Sequence, residues 1–284
     1  MTVNTEILQS TRIISLATNL PGPAAASRLL RMGASVTKIE PPGGDFLERI
    51  CPSWYESLSA GQEVRRLDLK TKPGFDELEA MLEDSDLLIT SMRPSSLEHL
   101  SLDWSALNRS HPRLCHVAIV GYVSPDRNRA GHDLTYLAPF GLLIPPSLPR
   151  TLLADLIGAE RTVSSALGLL YAREKGHGAG YAEVSLARCA EIATEPLRYG
   201  LTVPGGLLGG GLPHYNLYET RRGWIAIAAL EPHFLDRLVV ELGIPKDNAT
   251  HDDFRTVFMT RSAAEWEDWA TRNDIPIVAV REWE

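Results

Sequence analysis

Three short segments near the start of the chain limit what it can fold into: "RIISLAT" (12–18), "GPAAASRLLRMGA" (22–34) and "SVTKIEPP" (35–42). The first and third are runs rich in β-branched residues. The middle one reads as a helix, with proline just inside its start and glycine near its end. Strand, helix and strand in about thirty residues form a βαβ unit, whose crossover makes the two strands parallel.

The alternation continues. "VRRLDLKT" (64–71) reads as a strand and "KPGFDELEAMLEDSD" (72–86) as an amphipathic helix with Phe75, Leu78 and Leu82 on one face. "LLITSMRP" (87–94) is a buried strand, "SLEHLSLDWSALNRSHP" (96–112) is helical in pieces, and "LCHVAIVGY" (114–122) is the next strand. The expected fold class is therefore α/β, with a doubly wound, Rossmann-like parallel sheet in a large domain.

Beyond residue 122 the pattern changes. "ERTVSSALGLLYAREKG" (160–176) reads as a long helix, and "GYAEVSLARCAEIATEPLRYGL" (180–201) starts as a strand and becomes a helix. "VPGGLLGGGLPHY" (203–215) is a glycine-rich loop. "NLYETRRGWIAIAAL" (216–230) is a hairpin turned at Arg221-Arg222-Gly223, "EPHFLDRLVVELGI" (231–244) a helix, and 262–284 a helix then a strand. This places a large domain at 1–202 and a small α+β domain at 203–284.

The net charge of −8 speaks against nucleic acid as the main partner, since a phosphate backbone needs a clustered basic face. The N-terminus shows no basic stretch followed by an apolar one, and no apolar run approaches the length of a membrane span. The three cysteines, Cys51, Cys115 and Cys189, make neither a metal spacing nor a disulfide framework, which fits a reducing, cytoplasmic location. Cys115 and His116 alternate on a strand and point to opposite faces, so no metal site is expected.

Several residues admit two readings. "GHGAGY" (176–181) looks like a phosphate loop but follows a helix and precedes a strand, so it reads as an αβ turn. "GGG" (209–211) is either a connector or a place where backbone approaches a ligand. Asp155, alone in apolar "RTLLADLIGAE", is either the N-cap of the helix through 160–176 or a partly desolvated base or nucleophile. His132, heading the apolar run "HDLTYLAPFGLL", is either a cap or a base. Glu231, between a strand and a helix, is either a first-turn acid or an acid of the site.

"LPGPAAASRLLRMGASVTKIEPPGGD" (20–45), "RRLDLKT" (65–71), "LLITSMRPSSLEHLSLDWSALNRSHPRL" (87–114) and "GYAEVSL" (180–186) together resemble the class III CoA-transferase (CaiB/BaiF) family. Asp155 falls where that family keeps its catalytic aspartate. "RAGHDLTYL" (129–137) and "GGGLPHYNLYETRRGWIAIAALEPHF" (209–234) resemble its α-methylacyl-CoA racemase branch, in which a histidine acts as base. Pro41 and His99 stand where basic residues are usual, "LIGAE" replaces a glycine-rich stretch, and family members continue beyond the equivalent of Glu284.

The resemblance implies an acyl-CoA thioester as substrate, with coenzyme A entering as part of it and no tightly bound cofactor. His132 with Glu231 on one face and Asp155 on the other would remove and return the α-proton of a 2-methylacyl-CoA through an enolate, whose oxygen backbone N–H groups near Asp155 would hold. The first alternative is CoA transfer between carboxylates through an aspartyl-CoA thioester on Asp155. The second is a CoA-binding member with impaired catalysis. For coenzyme A the resemblance points to Lys70 and Arg93 as cations, with Leu20, Pro21, Leu67 and Gly131 as apolar and backbone contacts. It also implies an interlocked homodimer.

Overall fold

The computed structural model describes residues 6–245 and 249–282. The first residues of the stretch read for a leader, and the last two of the segment 262–284, lie outside them. The described residues fall into two compact units, divided between Thr194 and Glu195.

The first unit is built on six strands: β1 (Arg12–Ser15), β2 (Ser35–Glu40), β3 (Glu63–Arg66), β4 (Leu87–Thr90), β5 (Cys115–Val120) and β6 (Tyr181–Ser185). All pair in parallel, in the order β3-β2-β1-β4-β5-β6. This is the expected doubly wound sheet, and its order reverses direction between β1 and β4. Every residue of β4 and β5 is buried, as a strand covered on both faces requires. Alternate residues supply two cores. Ile13, Leu87, Ile89, Val117 and Ile119 face one side, while Ile14, Leu88 and Ile39 face the other.

Helices α1 (Pro21–Arg31), α2 (Phe46–Ile50), α3 (Pro52–Ser59), α4 (Lys72–Glu83), α5 (Pro94–His99), α6 (Trp104–Ser110), α7 (Asp133–Leu137), α8 (Leu153–Ala172) and α9 (Leu186–Ala193) complete this unit. Leu78 and Leu82 of α4, Leu97 of α5 and Leu107 of α6 pack on the Ile14 face. Ala24, Ala25 and Leu29 of α1 and Ala159, Val163 and Ala166 of α8 pack on the other.

The strand expected over 64–71 stops at Arg66. Asp68 turns the chain out of the sheet by accepting the Lys70 N–H at 3.0 Å, and Thr71 then caps α4. β3 is a fully exposed edge carrying Glu63, Arg65 and Arg66, which protects it from pairing with another chain. Helices α2 and α3 are not legible as periodic patterns. They are short, and one starts from the N-cap of Asp45 while the other starts from Pro52.

The second unit holds α10 (Glu195–Arg198), the hairpin β7 (Tyr215–Glu219) and β8 (Trp224–Ala228), α11 (Pro232–Leu242), α12 (His251–Phe258), α13 (Ala263–Asn273) and β9 (Ile277–Ala279). The three strands form an antiparallel sheet ordered β7-β8-β9. Its core gathers Tyr218, Ile225, Phe254, Phe258 and Trp266, and the Trp266 indole donates to the Phe258 carbonyl at 2.8 Å. The glycine-rich loop is neither a loose connector nor an open cradle. It folds on itself so tightly that a Cβ on Gly209 would lie 1.9 Å from the Val203 carbonyl oxygen. The stretch 176–181 is the expected αβ turn, with Gly176 and Gly178 at positive φ. Among the described residues no helix is long and apolar enough to cross a membrane, and no cluster of three or more His, Cys, Asp or Glu could hold a metal.

Candidate active site

The carboxyl ends of β1, β4 and β5 meet at the reversal point of the sheet, where ligands of such sheets bind. The residues just past them, Thr18, Asn19, Ser91 and Gly121, line a cavity of about 110 Å³ together with Pro21, Gly131, His132, Tyr136 and Asp155. Its floor is hydrogen-bonded shut. The Thr18 N–H donates to Ser91 Oγ at 3.1 Å and the Asn19 N–H to Asp45 Oδ1 at 3.0 Å.

Asp45 belongs to a buried ionic group. Lys38, 1% exposed, reaches Asp45 Oδ2 at 2.7 Å and Glu40 Oε1 at 2.8 Å. The Tyr55 hydroxyl also donates to Glu40, at 2.9 Å. Sequence alone reads "KIE" as strand. Burial of its lysine becomes visible only when the fold brings Asp45 back onto it.

His132 is the N-cap residue of α7, but through its backbone. Its N–H donates to Thr135 Oγ1 at 2.9 Å, and the Thr135 hydroxyl donates back to the His132 carbonyl at 2.8 Å. The imidazole caps nothing, is exposed and lines the cavity.

The chain next buries Asp133, whose Oδ1 accepts the Asp155 N–H at 3.0 Å. Burial raises the carboxyl of Asp133, and the N–H groups of Asp155, Ala154 and Leu153 oppose that rise by favouring its charged form. Helix α8 therefore starts at Leu153 and not at 160, and Asp155 lies in its first turn and is not its N-cap. The local sequence hides this start because Leu152 has no capping side chain. The cap comes from another element, twenty-two residues back in the chain. Asp133 thereby occupies the N–H groups expected to hold an enolate oxygen.

Asp155 is half-buried, and its carboxyl is raised from 3.8 to about 7, first by burial and then by the charge of Asp133. Tyr136 forms the wall beside it. Its ring meets Tyr122 edge-on at 5.2 Å, and its hydroxyl is pushed up to about 12 by burial and then by Asp155. Gly131 makes room for that ring, since a Cβ there would lie 2.5 Å from Tyr136 Cε1.

A second cavity, of about 430 Å³, shares Thr18 with the first and is lined by Ile39, Glu40, Pro41, Leu67, Lys70 and Met92 among others. Lys70 also lines an adjoining hollow of about 790 Å³ with Lys72 and His99. The arrangement puts a small pocket beside a larger one with an apolar wall and a charged rim of Lys70, Asp68 and Glu40. Of the residues singled out from sequence, Asp155, His132, Gly131 and Pro21 share the small pocket, and Leu67 and Lys70 share the larger one. Leu20 is buried in the core as the N-cap residue of α1, and Arg93 is an exposed N-cap residue of α5. Glu231 belongs to the second unit, exposed, as the N-cap residue of α11. Sequence reasoning missed Thr18, Asn19, Ser91 and Tyr136. Of these only Tyr136 carried a signal, standing four residues after His132 and so on the same helical face.

A model of CoA-transferase family III matches residues 8–284. The chain belongs to this family. As a CoA-transferase family III member it is 30% identical over 290 residues to α-methylacyl-CoA racemase of Homo sapiens, across 91% of this chain and 74% of the relative. It is 26% identical over 329 residues to cinnamoyl-CoA:phenyllactate CoA-transferase of Clostridium sporogenes, across 99% of this chain and 80% of the relative. Among solved structures, that of the hypothetical protein Rv3272 of Mycobacterium tuberculosis shares the fold, with a TM-score of 0.85 at 21% identity, covering 98% of this chain and 85% of that one. Family relatives thus include both racemases and transferases.

Proposed function

We propose that this family member is a racemase of 2-methylacyl-CoA thioesters. The observation that carries the reading is the presence of Asp155, raised to about 7, and His132 in one small cavity. CoA transfer, with the aspartate as nucleophile, would need no histidine. Inversion at a carbon needs a base on one face and an acid on the other, both active near neutral pH.

In this reading one of the pair takes the α-proton, and the C–H electron pair passes onto the thioester oxygen as an enolate. The other returns a proton to the opposite face, so the configuration inverts and no atom is gained or lost. The larger cavity would take the nucleotide part of coenzyme A, with Lys70 near its phosphates. The role of Glu231 rests on sequence resemblance and is tested by Glu231→Gln in the same assay. The homodimer rests on the same ground and is tested by sedimentation.

The experiment is α-proton exchange. The protein is incubated with a 2-methylacyl-CoA in deuterated water and deuterium at the α-carbon is followed by mass spectrometry. Incorporation that falls about 10²–10⁴-fold in both His132→Ala and Asp155→Asn supports the racemase. Absence of exchange, with CoA transfer to an added carboxylate and a thioester adduct on Asp155, replaces it with the transferase. Lys70→Ala is expected to weaken coenzyme A binding about tenfold, the loss of one charge-assisted contact.

A further inference from the structure

One buried acid beside this cavity has no part in the chemistry above. Asp133 is 4% exposed, and its Oδ2 has no hydrogen-bond partner. Among the described residues no lysine or arginine pairs with it. Its Oδ1 instead holds the N–H of Asp155, and the N–H groups of Leu153 and Ala154 lie in the same first turn. These are donors that an α-helix leaves without a partner, and they carry the positive end of its dipole. Asp155 stands in that same turn. Left open, the turn would attract the charge of Asp155 and hold it as a carboxylate.

We propose that Asp133 is a positioning residue. By capping α8 with its own carboxylate it fixes Asp155 in the cavity, withholds the positive end of the helix from it, and leaves it able to take and give a proton at neutral pH. The purpose of this device rests on the acyl-CoA reading of the cavity, whereas the device itself rests on geometry.

Burial raises the Asp155 carboxyl first, and among the charges around it the other groups do not supply the second contribution. From α7 and the segment before it come His132, Tyr136 and, behind it, Tyr122. From α9 comes Cys189, which burial pushes up to about 11. Cys189 and Tyr136 thus carry no charge at neutral pH. The turn between β1 and α1 contributes Thr18, Asn19 and Pro21, none of which titrates. Arg28 of α1 pairs with Glu160 of α8, and Arg161 lies further along the same helix. Asp133 is the negative charge that acts on Asp155.

The test is a carbon-13 NMR titration of the aspartate carboxyls in the full chain, with Asp155→Asn used to assign the Asp155 signal. In the wild type its midpoint is expected near 7. Asp133→Asn keeps an oxygen to accept the Asp155 N–H and removes only the charge. The Asp155 midpoint should then fall by about one pH unit or more, and the acid limb of the exchange rate should move with it. Asp133→Ser, a neutral cap of smaller size, should behave alike and serves if the asparagine variant does not fold.

An unchanged midpoint in a folded variant overturns the proposal. So does a wild-type midpoint in the ordinary carboxylate range, or a lower rate with an unmoved pH profile. Absence of α-proton exchange overturns the racemase reading alone, since the titration still decides the role of Asp133.

Discussion

Two pairs of buried or half-buried carboxylates stand near the carboxyl edge of the same sheet, and they are handled in opposite ways. Glu40 and Asp45 share a buried lysine, Lys38, within 2.8 Å of each. Asp133 holds the N–H groups at the head of α8, while the carboxyl of Asp155, in the same turn, is raised to about 7. In the first group each charge answers another, and the group ties the end of β2 to the head of α2 and to the Asn19 backbone. In the second a charge is left without a counter-ion, and the carboxyl of Asp155 rises. A counter-ion makes a joint. Withholding it raises the proton affinity of the carboxyl.

The comparison breaks most visibly at Lys38. Lys38→Met leaves Asp45 without its cation and Glu40 with only Arg66, 3.5 Å from its Oε2, and a stability loss of about 3–5 kcal/mol is expected from urea unfolding. A loss below about 1 kcal/mol would mean that Glu40 and Asp45 do not depend on the lysine, and the contrast between the two groups would fail.

The next effect is one of pH. The carboxyl of Asp155 is raised in the folded chain, so the folded state binds more protons than the unfolded one between about pH 4 and pH 7. Stability from this group is therefore full below the unfolded value of 3.8 and is lost as pH rises through about 7. The loss is at most about 4 kcal/mol, and solvent screening of the half-buried group reduces it. Asp155→Asn should flatten the unfolding curve over that range and leave the variant more stable than the wild type at pH 8. A variant with the slope of the wild type would show that Asp155 titrates like an exposed acid.

The strands and the βαβ order were legible because buried parallel strands are near-continuous apolar runs, as "LLIT" and "CHVAIV" are. Asp155 and His132 were legible by resemblance and by isolation in apolar surroundings. What escaped depends on contacts between distant segments. The start of α8 is set by Asp133, and the burial of Lys38 by Asp45. Likewise Thr18, Asn19 and Ser91 enter the site only because β1 and β4 lie side by side. Helix α12 is a different case. Its capping box, Thr250 with Asp253, is present in the sequence but precedes a run too short to show a period.

The smallest effect tests what keeps the second group dry. No ion compensates Asp155, so its raised carboxyl depends on enclosure, and Tyr136 is the wall. Gly131→Ala places a Cβ 2.5 Å from Tyr136 Cε1. The ring cannot retreat freely, because Gly121 already gives way to its hydroxyl, with an imagined Cβ there only 2.7 Å from it, and Tyr122 packs on its edge. Overpacking of this kind costs about 1–3 kcal/mol and opens the wall to water. The carboxyl of Asp155 should then titrate lower, and the pH slope of stability should shrink toward that of Asp155→Asn, read from the same unfolding series. If stability falls while the slope stays, the wall holds the fold but not the proton affinity, and Asp133 alone accounts for the contrast between the two groups.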